Sequence, residues 1–191
     1  MYFSFLFSSF VDLVLQVWKI NTKYIRNAFK VHTGSQWVLS LNFSPNGRLL
    51  ISASPDNTLR LWNMRDGAAK VLTDDDPTFI DEPCFTSAAF SPDSRTVAAS
   101  HRDGMVRIWV VCTGQLIRKV MAHVNWAWGL AFMPDGKGLV SGGGDDIMRY
   151  WDNNSLDTQF GAQMRPQRKF LGHKVLSDLL PVNPATNPSI P

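Results

Sequence analysis

Residues 122–152 read Ala122-His-Val-Asn-Trp-Ala-Trp-Gly-Leu-Ala-Phe-Met-Pro-Asp-Gly-Lys-Gly-Leu-Val-Ser-Gly-Gly-Gly-Asp-Asp-Ile-Met-Arg-Tyr-Trp-Asp152. Three short apolar runs lie in this stretch, at 128–132, 139–141 and 147–151. Pro134-Asp-Gly136 separates the first two runs and residues 142–146 separate the last two, and both segments favour tight turns. The stretch therefore predicts three antiparallel strands joined as a meander.

Four residues with hydrogen-bonding side chains stand at the edges of these predicted strands: His123, Ser141, Asp145 and Trp151. A set of this kind at this spacing resembles the structural tetrad of WD repeats, in which His bonds Asp and Ser, and Ser bonds the Trp indole. Burying an indole N–H or an imidazole without partners costs about 1–3 kcal/mol per group. We interpret the set as a device of the fold rather than a hydrolase triad, because Ser141 lies within a strand and not on a nucleophile elbow.

The same pattern recurs along the chain. Trp18, Trp62, Trp109 and Trp151 follow one another at intervals of 44, 47 and 42 residues, and an acid precedes each by six positions. The turn phrases Phe-Ser-Pro-Asn-Gly, Phe-Ser-Pro-Asp-Ser and Phe-Met-Pro-Asp-Gly begin at residues 43, 90 and 132. A period of roughly 40–45 residues is typical of a propeller blade.

These repeats predict an all-β fold, an incomplete β-propeller of about three and a half to four blades, each a four-stranded antiparallel sheet. We expect the blades to occupy residues 1–175 and a Pro-rich, disordered tail to occupy 176–191. The first unit lacks its first strand, and its remaining strands are expected near residues 3–9, 13–18 and 24–29. The pair Gly172-His173 is typical of the start of a fifth unit, but the prolines that follow it interrupt the pattern.

The second and third units differ in their marker residues. The second carries a full tetrad, formed by His32, Ser52, Asp56 and Trp62. In the third, Ala99 stands where Ser is expected, and an acidic loop at 74–83 replaces the Gly-His corner. This acidic loop is either a solvated connection or a partner-binding segment.

Composition excludes several classes of function. The net charge of +3 is too small to indicate direct nucleic-acid binding. Two cysteines, Cys84 and Cys112, do not indicate a disulfide framework, and without CxxC or HxxxH spacing they and the histidines His101 and His123 do not indicate a metal site. We read the apolar N-terminus as buried strands rather than a signal peptide or membrane anchor. No GxSxG, P-loop or HExxH motif occurs, so we predict neither an enzyme nor a cofactor.

Residues 6–171 are similar to WD-repeat blades, and short phrases resemble the fungal Tup family of transcriptional corepressors. These phrases are Lys23-Tyr-Ile-Arg-Asn-Ala-Phe29, Gly136-Lys-Gly-Leu-Val-Ser-Gly142, Met148-Arg-Tyr-Trp-Asp152 and Lys169-Phe-Leu-Gly-His-Lys174. The resemblance implies a non-catalytic scaffold in the nucleus, or alternatively the cytoplasm. It would dock DNA-bound repressors, chromatin proteins or corepressor subunits. Alternatives are a G-protein β-like adaptor, a ubiquitin-ligase substrate receptor and a non-functional truncated propeller.

Such propellers usually close with seven blades, and closure covers the sheet edges and blade faces. An arc of about four blades predicts marginal stability and self-association through its uncovered ends. The arc is interpreted as a truncated product, as a form completed by another chain, or as a functional short form.

A partner surface is expected where the inner strands begin and where the tetrad turns lie. The candidates are Trp37, Cys84, Thr86, Arg102, Trp126 and Trp128. Trp and Arg are enriched at binding hot spots. The alternative is that Trp128 belongs to the core and that Trp37 and Trp126 cover loops.

Overall fold

A computed structural model of the protein describes residues 5–8, 14–19, 25–30, 37–74, 84–152 and 166–171, and it describes side chains at 37–74 and 84–152. In these ranges every regular element is a β-strand, and the strands form four antiparallel sheets. None of the described segments forms a helix long and apolar enough to span a membrane. The all-β prediction is confirmed.

Each sheet is a meander in which neighbours in sequence are neighbours in space. Blade one has three described strands, β1 Phe5–Ser8, β2 Val14–Lys19 and β3 Ile25–Lys30. Blade two comprises β4 Ser40–Phe43, β5 Leu49–Ala53, β6 Leu59–Asn63 and β7 Ala69–Leu72. Blade three comprises β8 Phe85–Phe90, β9 Thr96–His101, β10 Met105–Val110 and β11 Leu116–Met121. Blade four comprises β12 Ala127–Phe132, β13 Gly138–Gly143, β14 Ile147–Asp152 and β15 Pro166–Leu171.

The tight turns follow from the residues that the repeats place there. Between the first two strands of blades two and four, Gly47 and Gly136 adopt φ of 68° and 70°, the left-handed region that glycine enters without steric cost. Between the second and third strands, the equivalent positions of blades two, three and four are Asn57, Gly104 and Asp146, all with positive φ. These turns set the register of the sheets that carry the tetrad residues.

Blades two, three and four stack face to face, and each of their two interfaces has its own apolar core. Between blades two and three, Ile51, Leu59 and Leu61 pack with Phe90, Val97 and Trp109 in one buried cluster. Between blades three and four, Ala98, Val106 and Ile108 pack with Leu139 and Trp151 in another. The recurring interval between the tryptophans thus places one indole in each of these two interfaces, Trp109 in the first and Trp151 in the second, where it faces the preceding blade.

The far face of blade four is more open. Met148 is 47% exposed there, whereas the equivalent Val106 of blade three is buried under blade four. A Cβ added at Gly142 would meet no atom within 4 Å. In blades two and three, the corresponding face packs against the next blade. Self-association through this face of blade four therefore remains our prediction.

Several expectations fall on residues outside the described ranges. They are His32, residues 75–83 of the acidic loop, the Gly172-His173 pair and the tail at 176–191. In blade one, the observed strands agree with the three that the spacing predicts, within one or two residues at every strand end.

Candidate functional site

The tetrad residues of blade four lie within hydrogen-bond distance of one another. The Trp151 indole N–H donates to Ser141 Oγ at 2.8 Å, and Ser141 Oγ lies 2.9 Å from His123 Nε2. On the other side of the ring, His123 Nδ1 lies 2.8 Å from Asp145 Oδ1. These hydrogen bonds connect β13, β14, the turn between them and the segment that precedes β12.

Arg149 extends this chain. Its Nη1 donates to Asp145 Oδ2 at 2.6 Å and lies 2.6 Å from His123 Nδ1. Burial lowers the pKa of His123 below its usual value. The positive charge of Arg149 lowers this pKa as well, whereas Asp145 acts in the opposite direction. The bonds to His123 and Arg149 outweigh burial and lower the pKa of Asp145 to about 2. A neutral imidazole protonated on Nδ1 gives each donor in the Trp151–Ser141–His123–Asp145 chain an acceptor.

The Ser–His–Asp distances in this chain resemble those of a hydrolase triad, but the environment does not suit catalysis. Ser141 has no exposed surface, and its oxygen accepts the Trp151 indole N–H. A nucleophile must reach a substrate carbonyl. The arrangement instead pairs polar groups that would otherwise be buried without partners, which stabilises the junction of the strands.

Blade two shows part of the same arrangement. The Trp62 indole N–H donates to Ser52 Oγ at 3.0 Å, and both residues are buried. Asp56 Oδ1 accepts from the Thr58 amide at 3.0 Å and from its hydroxyl at 2.7 Å, which closes the β5–β6 turn. His32, the predicted fourth member, lies outside the described residues.

In blade three, other groups bond the buried indole N–H and the turn acid. With Ala99 in place of serine, the Trp109 indole N–H donates to the backbone carbonyl of Thr73 at 3.1 Å. Arg107 binds Asp103 through Nη1 and Nη2, at 3.1 and 2.5 Å, and donates from Nε to Asp74 at 2.5 Å.

Lys119 Nζ lies 2.9 Å from the same carboxylate oxygen of Asp74. The first residue of the predicted acidic loop is therefore engaged by two cations inside the protein. The bonds from His101 and Arg107 outweigh burial and hold the pKa of Asp103 well below its usual range.

His101 ends β9, at the position of blade three that corresponds to Gly143 of blade four, and it contacts the turn acid of its blade as His123 does in blade four. Its Nδ1 lies 2.9 Å from Asp103 Oδ1, and its Nε2 lies 2.8 Å from Asn57 Oδ1 of blade two. His101, Arg107 and Arg149 were not predicted from the sequence to belong to these networks. A cation four residues after the turn acid, in Asp103–Arg107 and Asp145–Arg149, is the signal that could have found the two arginines.

Three of the predicted partner-binding residues lie together, the half-buried Arg102 and the exposed Trp126 and Trp128, and we call them the Arg-Trp surface. Trp126 and Trp128 are 40% and 52% exposed, and their rings meet edge to face with centroids 5.2 Å apart. The Arg102 guanidinium lies over Trp126, 4.5 Å from the ring centroid. Trp128 sits where the pairing of β12 with β13 shifts register, and such bulges re-aim side chains. The Arg-Trp surface spans the β9–β10 turn of blade three and the start of blade four.

Two other candidates, Cys84 and Thr86, are buried, so their assignment to an exposed surface was wrong. They occupy the positions of blade three that correspond to Trp126 and Trp128. The Thr86 hydroxyl donates to the carbonyl of Ala127 at 2.5 Å and lies 2.9 Å from Ser100 Oγ. Cys84 is 1% exposed, and its amide donates to His101 Nε2 at 3.1 Å. Small side chains at these positions are enclosed by neighbouring residues, and Thr86 bonds directly to blade four.

Trp37 is 66% exposed and lies just before β4. Its carbonyl accepts from Ser54 Oγ at 3.0 Å, which holds the backbone at the entrance to blade two. The exposed fractions of Trp37 and Trp128 do not support the alternatives that Trp37 covers a loop and that Trp128 belongs to the core.

The repeats match a known family of sequences. The family model described as WD domain, G-beta repeat, matches residues 23–63, 80–110 and 114–152. The chain belongs to the WD40 repeat family. The first and third matched segments begin near the outer strand of one blade and end near the third strand of the next, so the sequence repeat is offset from the structural blade by one strand.

Curated relatives of this WD40 chain include two fungal proteins and one human protein. Nuclear distribution protein PAC1 of Arthroderma otae is 30% identical over 160 residues, and nuclear distribution protein nudF of Emericella nidulans is 28% identical over 163 residues. These alignments cover 74% and 77% of this chain, but 34% and 36% of the relatives. Human apoptotic protease-activating factor 1 is 31% identical over 149 residues, which is 74% of this chain and 11% of that protein. The chain thus spans about a third of the length of the fungal relatives.

These relatives bear on the resemblance to Tup-type corepressors. None of the three has a corepressor name. The phrases that suggested corepressors lie largely in strands and turns that any WD40 blade requires, including β13 and β14. Such phrases report the fold and do not separate one subfamily from another. The WD40 assignment is therefore shown, whereas the corepressor subfamily is not supported.

Proposed function

We propose that this WD40 protein is a non-catalytic scaffold that binds other proteins through the Arg-Trp surface. The observation that carries the proposal is the stacked group of Arg102, Trp126 and Trp128, with both indoles at least 40% exposed. Aromatic and arginine side chains dominate the binding energy of many protein interfaces. Exposed indoles next to one another gain apolar burial only when a partner covers them.

The tetrads serve the fold in this proposal, and the surface serves binding. The two roles separate because Trp151 and Trp62 are buried between strands, whereas Trp126 and Trp128 lie outside these networks. A partner can therefore cover the Arg-Trp surface without disturbing the blade interfaces. Membership in a family of repeat scaffolds supports this division.

For the kind of partner, the named relatives favour an adaptor role related to nuclear distribution proteins over a transcriptional corepressor. Under this proposal, the partners are proteins other than DNA-bound repressors or chromatin subunits. The nuclear location implied by the corepressor resemblance stays a prediction, with the cytoplasm as its alternative.

Quantitative affinity capture tests the proposal. The baits are the 191-residue chain, the double variant Trp126→Ala/Trp128→Ala, and the control Ile117→Ala, which removes an exposed apolar side chain from β11. We expect a set of proteins to be retained by the wild type and the control and to be depleted from the double variant. Equal retention by all three folded baits would refute binding through the Arg-Trp surface.

A further inference from the structure

We propose that Asn46, in the turn between β4 and β5, is a deamidation site at which opening of the turn converts the asparagine into aspartate. Asn46-Gly47 is the single Asn-Gly pair in the sequence, and Asn46 is exposed. This turn lies at the end of β5 opposite to the β5–β6 turn, and therefore away from the Arg-Trp surface. The inference is independent of the proposed function.

The reaction needs only these two residues and water. The backbone nitrogen of Gly47 attacks Cγ of Asn46, and its proton leaves with the side-chain amide as ammonia, so that a succinimide ring remains. Water then opens the ring at one of its two carbonyls, which gives aspartate or isoaspartate. Glycine permits this attack because it has no Cβ to crowd the nitrogen.

The closed turn opposes the attack. The Gly47 amide donates to the carbonyl of Ser44 at 2.7 Å, so its nitrogen is engaged in the turn. Asn46 Oδ1 accepts from Ser44 Oγ at 2.8 Å and from the Arg48 amide at 3.0 Å, which fixes the side-chain amide as well. Deamidation of the folded chain therefore requires the turn to open, and local opening of an exposed turn costs less than global unfolding.

Blades three and four show that an aspartate fits this turn. Asp93 and Asp135 occupy the position of Asn46, and both are exposed. Asp93 Oδ1 accepts from Ser91 Oγ at 2.6 Å and from the Arg95 amide at 3.0 Å, the same pair of bonds that Asn46 receives. The Ser91 bond lowers the pKa of Asp93, because it stabilises the charged form. The geometry of this turn therefore suits a carboxylate.

The two products have different consequences for blade two. Aspartate retains the backbone of the turn, and its carboxylate would accept from Ser44 and Arg48 through charge-assisted bonds, which are stronger than neutral ones. Isoaspartate carries the backbone through Cβ and Cγ, which lengthens the turn by one atom, so the same turn cannot re-form. Conversion to aspartate lowers the net charge of +3 by one unit and gives blade two the exposed turn carboxylate that blades three and four have.

Peptide mapping by mass spectrometry tests the proposal on the folded 191-residue chain, kept at mildly alkaline pH in water enriched in heavy oxygen. We expect heavy oxygen to enter at Asn46. Asn57 and Asn125 are exposed but precede residues bulkier than glycine, so they should remain unmodified over the same period. The rate at Asn46 should be more than about tenfold slower than in urea, because only molecules with an open turn react. Isoelectric focusing should show a band with one positive charge fewer growing in parallel.

Two serine variants separate local opening of the turn from unfolding of the chain. Ser44→Ala removes the hydroxyl that bonds Asn46 and Leu49, and it should raise the rate at Asn46 about tenfold. Ser91→Ala is the matched control, because Ser91 makes the corresponding bonds within its own turn of blade three. It should change the rate at Asn46 less than about twofold, since the β4–β5 turn keeps its own bonds.

The wild-type time course decides whether Asn46 is a site, whatever the stability of the variants. No label at Asn46, over a period in which the chain in urea is fully converted, would overturn the proposal. Equal acceleration by Ser44→Ala and Ser91→Ala would show that the whole chain must unfold, and would overturn opening of the turn alone. Asn46→Asp should keep the urea midpoint of the wild type or raise it, and a clear decrease would overturn the fit of the product.

Discussion

Replacing one tryptophan in the core and one on the surface should separate folding from binding. Trp151 is 2% exposed and packs with Leu139, Val106 and Ile108 between blades three and four. Trp126 is 40% exposed and packs on one side against Trp128 and Arg102.

The structure sets the size of each effect. Truncating a buried Trp to Ala costs about 3–5 kcal/mol from lost burial and the cavity. Trp151→Ala also removes the donor to Ser141, a loss of roughly 1 kcal/mol. Trp126→Ala should cost about 1 kcal/mol or less, because part of the ring is already in water. A domain is typically stable by only about 5–15 kcal/mol, so Trp151→Phe serves as a milder second variant.

Urea unfolding followed by far-UV circular dichroism is the assay, because fluorescence would change with the number of indoles. We expect the free energy of unfolding to fall in the order wild type, Trp126→Ala, Trp151→Phe, Trp151→Ala. Equal destabilisation by Trp126→Ala and Trp151→Ala would show that Trp126 belongs to the core and would refute the division between tetrad and surface.

Three further predictions concern packing and charge. Gly143→Ala should destabilise by about 1–3 kcal/mol, because its Cβ would lie 2.3 Å from the His123 ring; urea midpoints check this against Gly142→Ala, which has open space and should be nearly neutral. Arg107→Leu should cost about 3–5 kcal/mol in urea unfolding, because it removes the arginine shared by two nearly buried carboxylates and leaves Lys119 on Asp74 and His101 on Asp103, and no loss would contradict the network of blade three. Because the folded-state pKa of His123 is lowered, stability should be full above about pH 6.5 and should decline below it as the unfolded imidazole takes up a proton. A further decline between about pH 4 and 2 should follow from Asp145, whose pKa falls from 3.8 to about 2. Urea midpoints from pH 8 to 2 test both, and in an Asp145→Asn variant the acid decline should be smaller than in the wild type, with the remainder coming from Asp103, whose pKa is also lowered.

The sequence predicts the blades well because their determinants are local. Tight turns at Pro134-Asp-Gly136 and at the positive-φ positions separate short apolar runs, and the tryptophan interval places one indole in each interface among blades two, three and four. The spacing that links Ser141 to Trp151 and Ser52 to Trp62 is visible without any structure.

The network of blade three could not be predicted in the same way. The acceptor for Trp109 is the backbone carbonyl of Thr73, and a carbonyl has no residue-type signature. His101 contacts Asn57 of the preceding blade, a contact that depends on how the blades stack. Interactions of this kind are set by packing between repeats rather than by the pattern within one.

The candidate surface was only partly predictable for a related reason. Counting positions treats Cys84 and Trp126 as equivalent, as it does Thr86 and Trp128. Enclosure by neighbouring residues decides exposure instead, and Thr86 is tied to the Ala127 carbonyl of blade four. The position of a residue in the repeat therefore predicts its place in the blade, whereas packing of the next blade determines whether its side chain remains exposed.

Hydrogen–deuterium exchange of the wild-type chain, with and without a captured partner, tests the central claim most directly. We expect slower exchange on binding at the amides of the β9–β10 turn around Arg102 and of residues 124–129, with little change in β7 and β11. Protection confined to those outer strands, with Arg102, Trp126 and Trp128 unaffected, would contradict binding at the Arg-Trp surface.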